Sequence, residues 1–123
     1  DWSRVDSAGR ARALHIEDSL CNIQFGQYPA VSQLPTTAGK HRLIDARHFI
    51  LCAVNVTKQE RLEHDGSSFL LLTALSPLCL EAFDQKLSLR SGQSLLIPAS
   101  LKQFSLTGQG CALVVKPKGA YKG

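Results

Sequence analysis

Between Arg42 and Val115 the chain alternates, about every ten residues, between a short β-prone run and a break rich in glycine, proline, serine or aspartate. That rhythm is the strongest constraint on the fold. Arg42-Leu43-Ile44 comes first, then His48 to Val56, which alternates in its second half. Glu60 to Ser68 reads as a polar interruption. Phe69 to Leu75 reads as a buried strand stopped by Ser76-Pro77, and Leu78 to Phe83 follows. A turn is expected at Asp84-Gln85-Lys86. Further strands are expected over Leu87 to Leu89, Ser94 to Ile97, Phe104 to Leu106 and Cys111 to Val115. Apolar runs this short, bounded by breakers, suit strands and not helices. Many of them at this spacing indicate an all-β sandwich or barrel.

The beginning of the chain is different. Asp6-Ser7-Ala8-Gly9 is a turn signal. Leu14, Ile16, Leu20 and Ile23 predict one short element, with a helical turn or two over Glu17 to Cys21. Gly26 to Gly39 carries Pro29, Pro35, Thr36 and Thr37 and reads as a connector. The expected organisation is an N-terminal segment over 1–40, a barrel over 41–116 and a basic flexible tail over 117–123.

Composition removes other classes. A chain of 123 residues is one domain by length, and 44% hydrophobic with 20% charged residues is globular, which excludes disorder, collagen and coiled coil. No apolar run is long enough to span a bilayer, and no signal-peptide pattern is visible. Met is absent throughout, which points to a piece of a longer chain. The net charge of +4 allows a phosphorylated or polyanionic partner. The basic residues are scattered, however, and 7% aromatics without basic interleaving argue against nucleic acid. The tightest group, Lys116, Lys118 and Lys122, reads as a solvated tail. Cys21, Cys52, Cys79 and Cys111 form no C-x-x-C pair, which argues against a zinc ribbon. Their even number permits two disulfides, but their apolar neighbours favour buried thiols in a reducing, cytoplasmic setting.

The stretch from Leu87 to Gln103 is the most informative. Gly92, five strand residues and Pro98 form the skeleton of the second cupin motif, in which a glycine turn precedes a strand that ends at the barrel mouth. The first cupin motif, H-x-H-x3–4-E, falls in register at Leu62, His64 and Ser68, and the histidine of the second motif falls at Gln103. One imidazole in four positions does not hold zinc or iron, which take three or more N, O or S donors. A metal-free barrel is expected, with His64 an exposed loop residue. No other histidine completes a site. His15 with Glu17 and Asp18 reads as a polar contact, and His41 and His48 lack partners at ligand spacing. A Cys–His pair can be drawn from Cys52 and His48, but nothing marks Cys52 as exposed or activated. Ser7, Ser67 and Ser68 have no nucleophile-elbow context, and no glycine-rich phosphate loop precedes a helix. No catalytic, cofactor-binding or metal-ligating residue is assigned.

Two separated stretches resemble one family. Asp1-Trp-Ser-Arg4-Val-Asp6-Ser-Ala-Gly9-Arg-Ala-Arg12-Ala-Leu14-His15 is similar to the D-Y-D-R-x-D-x-x-G-x-x-R-E-L-H segment of bacterial mannose-6-phosphate isomerases. Ser68-Phe69, Leu89 to Ala99 around Gly92 and Pro98, and Phe104 to Gly108 resemble their C-terminal cupin-like domain. The resemblance implies an all-β, cupin-like double-stranded β-helix (a jelly roll) with a short N-terminal helical segment. It also implies a domain of a zinc-dependent aldose–ketose isomerase that interconverts mannose 6-phosphate and fructose 6-phosphate. In that family the zinc ligands and the catalytic arginine lie ahead of the matched segment, so none falls on this chain. Asp1, Arg4, Asp6, Gly9, Arg12, Leu14 and His15 carry over as linker and packing positions, with Ser3 and Ala13 replacing the expected Asp and Glu.

Three functions follow. The leading one is a non-catalytic accessory domain that packs on an N-terminal zinc-holding cupin, or self-associates without it. The second is a stand-alone cupin that binds a sugar or phosphorylated metabolite without turnover. The third is a protein–protein interaction module.

Overall fold

The computed structural model describes residues 33–119 without interruption, together with residues 5, 7–10, 16–23 and 26. The chain divides into two units, Asp1–Ser32 and Gln33–Gly123. In the first, α1 (Ile16–Cys21) carries Glu17 and Asp18 in its first turn, where carboxylates suit the positive end of the helix dipole. The Asn22 side-chain amide donates to the Asp18 carbonyl at 2.8 Å. None of the α1 residues is buried.

The second unit holds nine strands: β1 (Gly39–Asp45), β2 (Phe49–Val56), β3 (Gln59–Glu63), β4 (Leu70–Ala74), β5 (Leu78–Ala82), β6 (Gln85–Leu89), β7 (Ser94–Ile97), β8 (Gln103–Gly108) and β9 (Gly110–Pro117). They form a five-stranded sheet in the order β1-β2-β9-β4-β7 and a four-stranded sheet in the order β3-β8-β5-β6. All pairings are antiparallel. From β2 onward, every connection except the β5–β6 hairpin carries the chain from one sheet to the other. This is the jelly roll expected for a cupin.

Alternation explains the core. In β4, Leu70, Leu72 and Ala74 are buried while Leu71 between them is exposed. The period of two thus sends alternate side chains to the inner face. Val54, Leu72, Ile97 and Val114 of the larger sheet meet Leu62, Leu80, Phe104 and Leu106 of the smaller one. Two crossings stack at one corner. The β8–β9 passage through Gly108 and Gly110 lies against Ser76 and Pro77 of the β4–β5 passage. A Cβ on Gly110 would stand 2.3 Å from that of Ser76, so only glycine fits. Ser76 Oγ in turn accepts from the Cys111 amide at 3.3 Å.

Four expectations change. The polar stretch after Glu60 contains β3, an edge strand that sends Leu62 inward and shows polar groups to water. The hairpin turn consists of Phe83 and Asp84, one step earlier than expected, because Ala82 pairs with Gln85 and leaves a two-residue loop. Pro117 belongs to β9, and Lys118 is anchored through its amide to the His48 carbonyl and through its ammonium to Asp45. Only Cys52 is fully buried among the four free cysteines; Cys79 and Cys111 are half-buried and Cys21 is exposed on α1.

Candidate functional site

The inner faces part at one end of the barrel and leave a cavity of about 370 Å³. Strand alternation builds it. Ile50, Cys52 and Val54 enter from β2, and Lys40 and Arg42 from β1 two residues apart. Leu62 from β3, Leu70 from β4, Phe104 from β8 and Val114 from β9 complete the floor. Lys116, two residues beyond Val114 on the same face, stands at the rim with Glu63 and His64.

The rim is charged and cross-linked. Arg42 Nη1 lies 3.1 Å from Asp45 Oδ2, Arg61 Nε 3.5 Å from Glu63 Oε1, and Lys116 Nζ 3.0 Å from Asp65 Oδ1. The hydroxyl and amide of Ser67, followed by Lys116, hold the Asp65 carboxyl well below the usual carboxylate range. Asp45 is also lowered, chiefly by its hydrogen bond from Lys118. Lys40 has no ion-pair partner among the described residues.

The four cupin ligand positions do not form a donor set. Leu62 is buried in the floor. Gln103 faces outward and accepts from Arg61 Nη2 at 2.7 Å, so the inward residue at the start of β8 is its neighbour Phe104. Ser68 donates to the Phe69 carbonyl at 3.0 Å, and the inward residue there is Leu70. His64 lies in a loop as expected but is half-buried. Its Nδ1 accepts from the Gly66 amide at 3.2 Å, which leaves Nε2–H to donate to the Leu101 carbonyl at 2.6 Å. Both ring nitrogens are engaged. Among the described residues no three His, Cys, Asp or Glu side chains are grouped to hold a metal, and no buried side-chain N or O lacks a partner.

The remaining candidates are dispersed. Cys52 is buried in the floor, whereas His48 is exposed at the β1–β2 turn. They stand four positions apart along an extended chain, about 13 Å. Burial raises the Cys111 thiol, which disfavours thiolate chemistry there. His41 Nε2 contacts the Thr37 carbonyl at 2.8 Å. Ser67 is held in a turn by Asp65, which accepts from its amide and hydroxyl. Glu17 and Asp18 lie on α1, while His15 lies outside the described residues, as do Asp1, Arg4, Asp6, Arg12, Leu14 and Lys122. Sequence reasoning missed the cationic rim. Lys40 and Arg42 are separated by one residue at the start of the first strand signal, and that i, i+2 spacing was the available clue.

Comparison with known proteins completes the picture. The family profile described as mannose-6-phosphate isomerase, cupin domain, matches residues 38–117. No curated protein sequence matches. Among solved structures, the mannose 6-phosphate isomerase of Bacillus subtilis is similar with a TM-score of 0.64 at 18% identity, covering 94% of this chain and 38% of that one. The phosphomannose isomerase of Salmonella typhimurium, as its K132A mutant, gives 0.64 at 18% identity over 88% of this chain and 29% of that one. A cupin-2 domain protein of Shewanella frigidimarina gives 0.54 at 13% identity, over 85% of this chain and 94% of that one. The chain therefore spans under two fifths of the isomerases it resembles, yet nearly the whole of a small cupin. With the strand order, the apolar barrel floor and the match over residues 38–117 in agreement, this chain belongs to the mannose-6-phosphate isomerase cupin-domain family.

Proposed function

We propose that this chain is a metal-free, non-catalytic cupin domain of a mannose-6-phosphate isomerase-like protein in carbohydrate metabolism. The observation that carries the reading is the chemistry of the ligand positions. Of the four cupin ligand positions, Leu62 is apolar, Ser68 and Gln103 bond to the Phe69 carbonyl and to Arg61, and His64 has both ring nitrogens engaged. Moving a proton between the first two carbons of a sugar phosphate needs a base and a polarising metal, and among the described residues no three metal-donor side chains are grouped. The domain's role is to cover and stiffen a second, zinc-holding cupin.

The outer face of the larger sheet supports such packing. Ile44, Leu51, Val115, Leu71 and Leu96 are paired in one row across all five strands. Ile44, Leu71 and Leu96 are 45%, 42% and 56% exposed. A continuous apolar row of this kind is costly in water and suits a partner domain or a second copy. Four free thiols fit a cytoplasmic location.

Sequencing the transcript upstream of the Asp1 codon tests the reading. An in-frame cupin of about 150–200 residues with zinc ligands supports it. A start codon just before Asp1 overturns it. The place then passes to a second reading, small-ligand binding at the barrel mouth, which the cationic rim of the cavity favours.

A further inference from the structure

The mouth cavity joins an apolar floor to a cationic rim. Val54, Leu62, Leu70, Phe104 and Val114 bring no hydrogen-bonding group to the floor, and Cys52 brings only a weakly donating thiol. The two ring nitrogens of His64 are already engaged with Gly66 and Leu101. A hexose phosphate carries hydroxyls all round its ring. On this floor they would lose water and gain no partner, a loss that outweighs the attraction of the phosphate to the rim. A hydrocarbon body gains from the same burial. At the rim, Arg42 and Lys116 share their charge with Asp45 and Asp65, and the Glu63 carboxylate there is paired with Arg61, whereas Lys40 has no ion-pair partner among the described residues. The cavity volume of about 370 Å³ is ample for a small molecule.

We propose that the barrel mouth binds a small amphipathic anion, with its carboxylate or phosphate head at Lys40 and Arg42 and its hydrocarbon body on Leu62 and Phe104. The proposal rests on the ligand-binding reading of the mouth and is independent of the accessory-domain reading.

Calorimetric titration of the 123-residue chain with octanoate, 1-octanol and mannose 6-phosphate tests it. Octanoate is expected to saturate one site per chain. The uncharged alcohol should bind about tenfold more weakly, and Lys40→Ala with Arg42→Ala should weaken octanoate by about tenfold. Mannose 6-phosphate should show no binding up to about 10 mM. NMR shifts on adding octanoate should appear at Leu62 and Phe104. Mannose 6-phosphate bound as tightly as octanoate would overturn the ligand class and leave a binding mouth. Neither anion bound would overturn both. Shifts at Leu71 and Leu96, or octanoate binding unchanged in the double variant, would place the anion elsewhere and overturn the proposal.

Discussion

Lys116 Nζ stands 3.0 Å from Asp65 Oδ1, so the last strand is tied to the loop that follows β3 at the edge of the barrel mouth. The same carboxylate accepts from the amide and hydroxyl of Ser67 at 2.9 and 2.7 Å. One oxygen thus orders the loop, holds a β9 cation in place and helps set the charge at the cavity rim.

This arrangement predicts an acid-sensitive contribution to stability. Asp65 titrates below its unfolded value, so its contribution is present above about pH 4 and is lost as pH falls towards the depressed folded value. Asp65→Asn keeps an acceptor for Ser67 and removes the charge. The Tm gap between the parent and Asp65→Asn should be present at neutral pH and shrink in acid. A gap independent of pH would show that the charge is irrelevant.

Leu72 sits fully buried in the middle of the larger sheet, between Leu95 of β7 and Val114 of β9. Leu72→Ala should destabilise the chain by about 3 kcal/mol through lost burial and the cavity left behind. Urea denaturation reads this directly. A loss below about 1 kcal/mol would mean that the core closes around the gap.

The stacked corner predicts a coupled pair. Gly110→Ala drives its new methyl into Ser76 and should cost about 1–3 kcal/mol. Ser76→Gly removes the opposing Cβ and Oγ, so the double variant should lose less than the sum of the two single losses. Additive losses would show that the two crossings do not press on each other.

At the β5–β6 hairpin, Phe83 and Asp84 have φ of 50° and 61°, the left-handed pair required by a tight two-residue turn. Phe83 is 83% exposed and gains little from packing. Replacing the pair by Asn-Gly should stabilise the chain by about 1 kcal/mol. A lower thermal midpoint would show that the exposed phenyl ring contributes to the fold.

The outer apolar row predicts concentration-dependent association. Sedimentation of the chain alone should show dimers at high concentration, and Leu71→Glu with Leu96→Glu should return it to monomer. A parent that stays monomeric at every concentration would leave the row to a different partner domain.

Much of the fold was legible because strand rhythm is a local property. The breaks at Ser76-Pro77, Gly92 and Pro98 fall where the strands end, since proline brings no amide to a ladder and the positive φ of Gly92 turns the chain out of it. β3 was hidden because Gln59-Glu60-Arg61-Leu62-Glu63 offers one apolar residue to a period that needs several. The site was harder to read. Gln103 faces outward and its neighbour Phe104 inward, which the motif spacing could not tell, because a shift of one residue in a strand reverses which side chain points inward.

The sequence alone determined the class of fold and the family. These depend on residue types and spacing, which no packing changes. Only the tertiary structure decided that Lys40, Arg42 and Lys116 meet around one apolar cavity, and that Ile44, Leu51, Val115, Leu71 and Leu96 form one row. Lys40 and Lys116 come from opposite ends of the described barrel, brought together because β1 and β9 both pair with β2. Strand order in a sheet is set by non-local pairing, and no local pattern encodes it.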